Sequence, residues 1–187
     1  MLLVSAAGND GCDSLHVPAA LPTVLAVGAM NDRGKPLDFS NWGEAYQSQG
    51  LLAPGDNILG AKPGGGTQRM SGTSFAAPIV SGVAALLLSL QIQRGETPDP
   101  QKIRKFLLQS ALPCDPDVQS GRRCLAGKLN ISGALTLLTG GNMAEELTSV
   151  VDGVEASECG CGGGIQSEVE KEEIKTQELV SVEPSAN

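Results

Sequence analysis

The sequence predicts an α/β domain built on a parallel sheet. Three observations carry that expectation. Short, continuously apolar runs stop at Gly, Asn, Asp or Pro turns, as strands buried on both faces do. One later run is apolar around most of a helical circumference, the pattern of a helix inside a domain. Strands come first, then the long helix, then shorter helices, the order of part of a parallel α/β fold.

Taken in order, residues 2–7 form an apolar run that ends at Gly8-Asn9-Asp10-Gly11, a turn signal. Residues 23–29 (TVLAVGA) follow Pro22, precede Asn31-Asp32-Arg33-Gly34, and read as a second buried strand. Residues 51–53 and 57–61 are weaker strand candidates around Pro54-Gly55-Asp56, and 63–67 (PGGGT) reads as a flexible loop. The long helix spans residues 73–93, with Ala76, Ala77, Ile79, Val80, Val83, Ala84, Leu87 and Leu88 around it and Pro78 near its start. Residues 99–111 give an amphipathic helix, with Asp99 as cap, Pro100 at the first helical position, and Ile103, Phe106 and Leu107 on one face. A third helix covers 130–138 and stops at Gly140-Gly141.

Charge divides the chain. Residues 1–140 hold 11 Lys and Arg against 10 Asp and Glu, whereas 141–187 hold 2 against 11. The formal net charge of −8 therefore belongs to the last quarter, which reads as an acidic, disordered tail behind a folded body of 1–140. Without clustered Lys and Arg, nucleic acid is excluded as a partner. The most apolar stretch, 78–90, falls short of the roughly 20 residues of a membrane span, so no membrane partner is expected. The N-terminus lacks a basic n-region and reads as no export signal. Five cysteines (Cys12, Cys114, Cys124, Cys159 and Cys161) make an odd set, and with that N-terminus they predict a cytoplasmic protein with mostly reduced thiols. Cys159 and Cys161 could bind a soft metal but supply only half of the four ligands such a site needs, with Cys114 and Cys124 free, completing it, or bonded to each other. Free thiols are the expectation, with no metal and no cofactor.

The sharpest chemical signal is Met70-Ser71-Gly72-Thr73-Ser74-Phe75-Ala76-Ala77-Pro78. A serine at the start of a buried helix lies by unpaired backbone N–H groups at the positive end of the helix dipole, where an oxyanion would be stabilised. On physical grounds alone, Ser74 is equally a plain helix cap.

Gly72-Thr73-Ser74-Phe75-Ala76-Ala77-Pro78 resembles the nucleophile motif of the subtilisin-like serine proteases, Gly-Thr-Ser-Met-Ala-x-Pro, with Phe75 in place of Met. Ser5-Ala6-Ala7-Gly8-Asn9 resembles the strand end whose Asn donates to the oxyanion. Residues 22–29, Phe39-Ser40-Asn41-Trp42-Gly43 and Ala53-Pro54-Gly55 resemble three further motifs of that family, in the same order. The resemblance implies an α/β fold, the C-terminal portion of a subtilisin-like parallel-sheet domain with a buried nucleophile helix. It implies Ser74 as the nucleophile, Asn9 with the Ser74 backbone N–H as the oxyanion hole, and Gly8 in the wall of the substrate pocket. Stretches 89–104, 110–116 and 124–135 resemble more narrowly the subtilases of cyanobactin maturation, which cleave a ribosomal precursor peptide.

The family's triad Asp and His precede the Asn strand, and only eight residues precede Asn9. His16, the sole histidine, lacks the His-Gly-Thr context of the base and reads as a surface or packing residue, while Asp10, Asp13, Asp32 and Asp56 have no triad context. Without a base a serine hydroxyl is a poor nucleophile. Two functions are therefore expected from different classes. One is a serine endopeptidase fragment acting on a peptide or protein substrate, inactive alone and needing Asp and His from a missing upstream segment. The other is a non-catalytic, subtilase-like peptide-binding module.

Overall fold

The fold was obtained as a computed structural model that describes residues 1–115 and 122–141. The acidic stretch expected to be disordered, with Cys159 and Cys161, lies outside the described residues. Among the described residues, five strands and four helices follow in the order β1 Leu3–Ala6, β2 Val24–Met30, α1 Tyr46–Gln49, β3 Gly50–Pro54, β4 Ile58–Ala61, β5 Thr67–Met70, α2 Thr73–Gln93, α3 Pro100–Gln109 and α4 Ile131–Thr139.

The expected parallel sheet is formed by β1, β2 and β3 with β2 central, Ala26 standing opposite Ser5 on one side and Gly50 on the other. Continuous apolarity in β2 follows from burial on both faces, since neighbouring side chains point in opposite directions. Leu25, Val27 and Ala29 pack with Ala76, Val80, Val83, Ala84 and Leu87 of α2, joined by Ile103, Leu107, Ala134 and Leu138 of α3 and α4. Ala26 joins Ala7, Ala19, Tyr46, Leu52 and Leu125 in a second cluster. Each fully buried Leu or Val in these clusters contributes on the order of 1.5–3 kcal/mol.

The long helix has the expected bounds, and the apolar residues named for it are buried or half-buried. Its outer stripe is open, with Leu86 72% and Ile92 60% exposed. An 18-residue window of this 21-residue helix has a mean hydropathy of 2.0 and meets the length and composition of a membrane span, although a core helix meets the same test and this one packs on the sheet. Pro78 offers no N–H to the Ser74 carbonyl, one turn back.

Asp99 caps α3 as expected, its side chain accepting from the Gln101 and Lys102 amides at 2.9 and 3.0 Å, with Pro100 in the first turn. Asp99→Ala is expected to cost about 0.5–2 kcal/mol, read as a lowered midpoint of thermal unfolding. Asn130 caps α4 through Gly133 N, and Gly140 ends it in the left-handed conformation at φ 67°.

Two elements differ from expectation. Residues 67–70 pair antiparallel with β4, so the glycine-rich 63–66 is the tip of a hairpin. A one-turn helix, α1, delivers Tyr46 and Gln49 to the interior. The cysteine expectation is also corrected, because Cys114 and Cys124 are joined by a disulfide with their Cα atoms 6.0 Å apart. Residues 112 and 128 bridge beside it, which brings the two sulfurs within reach. Cys12 is free and exposed.

Candidate active site

Ser74 lies on the first turn of α2, exposed, where helix geometry leaves backbone donors unpaired. Three amides of that turn are already occupied. Thr73 N donates to Asn9 Oδ1 at 2.9 Å, while Phe75 N and Ala76 N donate to Gly72 O at 3.0 and 3.3 Å. The Ser74 N–H remains without an acceptor among the described residues, beside its own hydroxyl. Gly72, the residue before the helix, offers no side-chain cap, so Asn9 serves as the cap from 64 residues away.

That capping bond orients the Asn9 amide. A backbone N–H can only donate, so the end of Asn9 facing Thr73 N is the oxygen, which also accepts from Thr73 Oγ1 at 3.0 Å. The Nδ2 end is left free to donate elsewhere. A methyl carbon placed on Gly72 would stand 3.6 Å from Asn9 Nδ2 and 3.8 Å from Ser74 N, so both donor nitrogens border one small space. Two N–H donors bordering one space next to a serine are the groups that stabilisation of an oxyanion requires.

Gly8 sits at the end of β1 with φ 109°, a conformation that favours glycine. Its N–H donates to Thr73 Oγ1 at 3.3 Å, and a side chain there would collide with Asn41 Nδ2 and the His16 ring. All three expected site residues, Ser74, Asn9 and Gly8, are thus gathered around Thr73. Sequence reasoning gave Thr73 no role of its own, although it stands inside the quoted motif.

His16, expected as a surface or packing residue, lies half exposed with its Nε2 2.7 Å from Asp10 Oδ2, itself about half exposed. Its backbone N–H donates to the Tyr46 hydroxyl at 2.9 Å, and that hydroxyl donates to Ala7 O at 3.3 Å. Ser74 Oγ has no hydrogen-bond partner among the described residues, so no general base stands beside it there. No group of three or more His, Cys, Asp or Glu able to hold a metal occurs among those residues.

Burial raises the Tyr46 hydroxyl above its ordinary value of 10.0, and the bond from the His16 backbone opposes part of that rise. A raised pKa means that the unfolded chain releases the proton first as pH climbs. Stability is therefore expected to be full below pH of about 10 and to fall above it. Tyr46→Phe should remove this tyrosine's share of the alkaline loss, checked by urea midpoints between neutral and alkaline pH.

Residues 1–162 match the family model described as "Subtilase family". Among solved structures, the chain is 76% identical to the patellamide maturation protease PatA at a TM-score of 0.74, covering 76% of this chain and 53% of that one. It is 72% identical to the prenylagaramide maturation protease PagA at a TM-score of 0.73, covering 75% and 51%. Among curated proteins, it is 51% identical over 92 residues to subtilisin-like protease 1 of Arthroderma gypseum, 49% of this chain and 18% of that protein. The chain thus spans about half the length of those two solved relatives and under a fifth of that curated one.

Proposed function

The chain belongs to the subtilase family, and we propose that it is the part of a serine endopeptidase that carries the nucleophile and the oxyanion hole, acting in maturation of a ribosomal precursor peptide. The observation that carries this reading is that Asn9 Nδ2 and Ser74 N both lie within 4 Å of one point beside Gly72, next to the turn that carries Ser74. Ser74 Oγ attacks the scissile carbonyl and passes its proton to a histidine, the carbonyl oxygen becoming the oxyanion held by the two N–H groups. Collapse of that intermediate breaks the C–N bond, the histidine returns the proton to the leaving amine, and water then hydrolyses the acyl-enzyme. The precursor-peptide substrate is supported by the likeness to two maturation proteases.

The histidine and its aspartate come, in this proposal, from polypeptide that docks on the open side of the sheet. β1 pairs only with β2 among the described strands, leaving an edge suited to another parallel strand. Beside it, Leu2, Val4, Ala84, Ala85 and Leu88 line a shallow groove of about 190 Å³, next to the exposed stripe of α2. The partner is a polypeptide that supplies both a strand for β1 and apolar cover for α2.

Ser74 Oγ without a partner favours a second reading, a peptide-binding module that performs no chemistry. A fluorophosphonate probe separates the two, applied to the chain alone and with the half of PatA that this chain does not match, added as a separate polypeptide. Labelling of Ser74 only in the mixture is expected, and labelling in neither would leave the binding module. The proposal places the protein in the cytoplasm. Cell fractionation checks it: recovery in the cytoplasmic fraction is expected, and recovery only from an oxidising compartment, where the Cys114–Cys124 disulfide would persist, would overturn the placement.

A further inference from the structure

Asn9 is held between two neighbours that are themselves held by one buried residue. Asn41, 1% exposed, lies in the turn after Phe39. Its backbone N–H donates to Gly8 O at 3.0 Å. Its Oδ1 accepts from Asp10 N at 2.7 Å, and its Nδ2 donates to Asp10 Oδ2 at 2.8 Å. These three bonds bracket Asn9 in the chain, two of them on residue 10 and one on residue 8. His16 Nε2 reaches the same Asp10 oxygen at 2.7 Å.

The chemistry demands an amide at position 41. Asp10 N can only donate and the Asp10 carboxylate, when ionised, can only accept, so one side chain must do both at once. Aspartate at 41 would set two carboxylates against each other, and alanine would leave Asp10 N without its acceptor.

We propose that Asn41 is a positioning residue of the oxyanion hole. It fixes the backbone of residues 8–10, so that Asn9, with Oδ1 taken by Thr73, delivers Nδ2 to the oxyanion. Thr73 sets which end of the amide points outward, and Asn41 sets where that end stands. A displacement of about 1 Å at such a donor is enough to cost up to about 10²-fold in rate. The catalytic consequence rests on the protease reading above, whereas the clamp itself does not.

The test has a readout for each. In isotopically labelled chain, three-bond couplings report the χ1 angle of Asn9. One rotamer is expected in the wild type and averaging in Asn41→Ala, with a cooperative melt showing that the variant is folded. A fixed Asn9 rotamer in folded Asn41→Ala overturns the proposal whether or not Ser74 ever reacts. Asp10→Ala, at an exposed position, removes the bond from Asn41 Nδ2 and the pair with His16 but keeps the bond from residue 10 N to Asn41 Oδ1, and should give partial averaging; it carries the test if Asn41→Ala does not fold. In the mixture with the PatA half, Asn41→Ala should lower kcat by roughly 10-fold or more with little change in KM. That loss should vanish in an Asn9→Ala background, because Asn41 acts through Asn9. An equal loss in both backgrounds would make Asn41 a purely structural residue and overturn the proposal. Averaging of Asn9 in a protein that never labels would uphold the clamp and remove the protease reading.

Discussion

Asn9→Ala is expected to lower turnover by about 10²–10³ once the chain is joined to the polypeptide that supplies the base, the range found for removal of one such donor in subtilisin. Asn9 has two separable duties here, and substitution can divide them. Its Oδ1 caps α2 through Thr73 N and Thr73 Oγ1, at 2.9 and 3.0 Å, while Nδ2 faces the space beside Ser74. Alanine removes both duties, so a stability loss of about 0.5–2 kcal/mol should accompany the loss of rate. Aspartate keeps an oxygen for Thr73 and replaces the donor with a second oxygen that repels the oxyanion. Asn9→Asp should therefore keep the wild-type melting midpoint and lose at least as much turnover as Asn9→Ala. Peptide cleavage at saturating substrate, read beside thermal unfolding, checks both halves. An active Asn9→Asp would reduce Asn9 to a helix cap.

What the sequence disclosed follows from how local each feature is. β2 and α2 were legible because their signals lie within the elements: every residue from Val24 to Ala29 is buried, and α2 is a 21-residue run apolar around most of its circumference with Pro78 only near its start. The β4–β5 hairpin was not legible. Its strands are half-buried or exposed throughout, so hydrophobic periodicity had nothing to report. It is fixed by its ladder and by bonds such as Arg69 Nη1 to Asn57 O at 2.8 Å. α1 is a single turn without a side-chain cap, anchored by burial of Tyr46 and Gln49. The disulfide depends on residues 112 and 128 meeting, which spacing does not reveal. At the site, motifs named Ser74, Asn9 and Gly8, but the residue that joins them is Thr73, through bonds 64 and 65 residues long in sequence. Asn41 stood in plain view inside Phe39-Ser40-Asn41-Trp42-Gly43, yet its part depends on partners 31 residues away.

Gly72→Ala is expected to lower turnover by crowding the space between the two donors. The added methyl would meet Phe75 Cδ2 at 3.5 Å, Asn9 Nδ2 at 3.6 Å and Ser74 N at 3.8 Å. All three are ordinary van der Waals distances, but Gly72 has φ 159° and ψ 159°, a conformation that favours glycine, so a loss of stability should accompany the substitution and is read separately by thermal unfolding. An oxyanion, however, must come within about 2.7–3.1 Å of both donors. A methyl carbon less than 4 Å from each crowds that position and shields the two N–H groups from it. The substrate carbonyl is not yet charged when it binds, so KM should change little while kcat falls, by about 10²-fold where one donor's contribution is lost. Labelling of Ser74 by a fluorophosphonate should slow in parallel, since the phosphoryl oxygen uses the same two donors. Turnover at the wild-type rate in folded Gly72→Ala would mean that the Asn9 amide and the Ser74 N–H do not serve one oxygen, and the assignment of this corner as an oxyanion hole would fall.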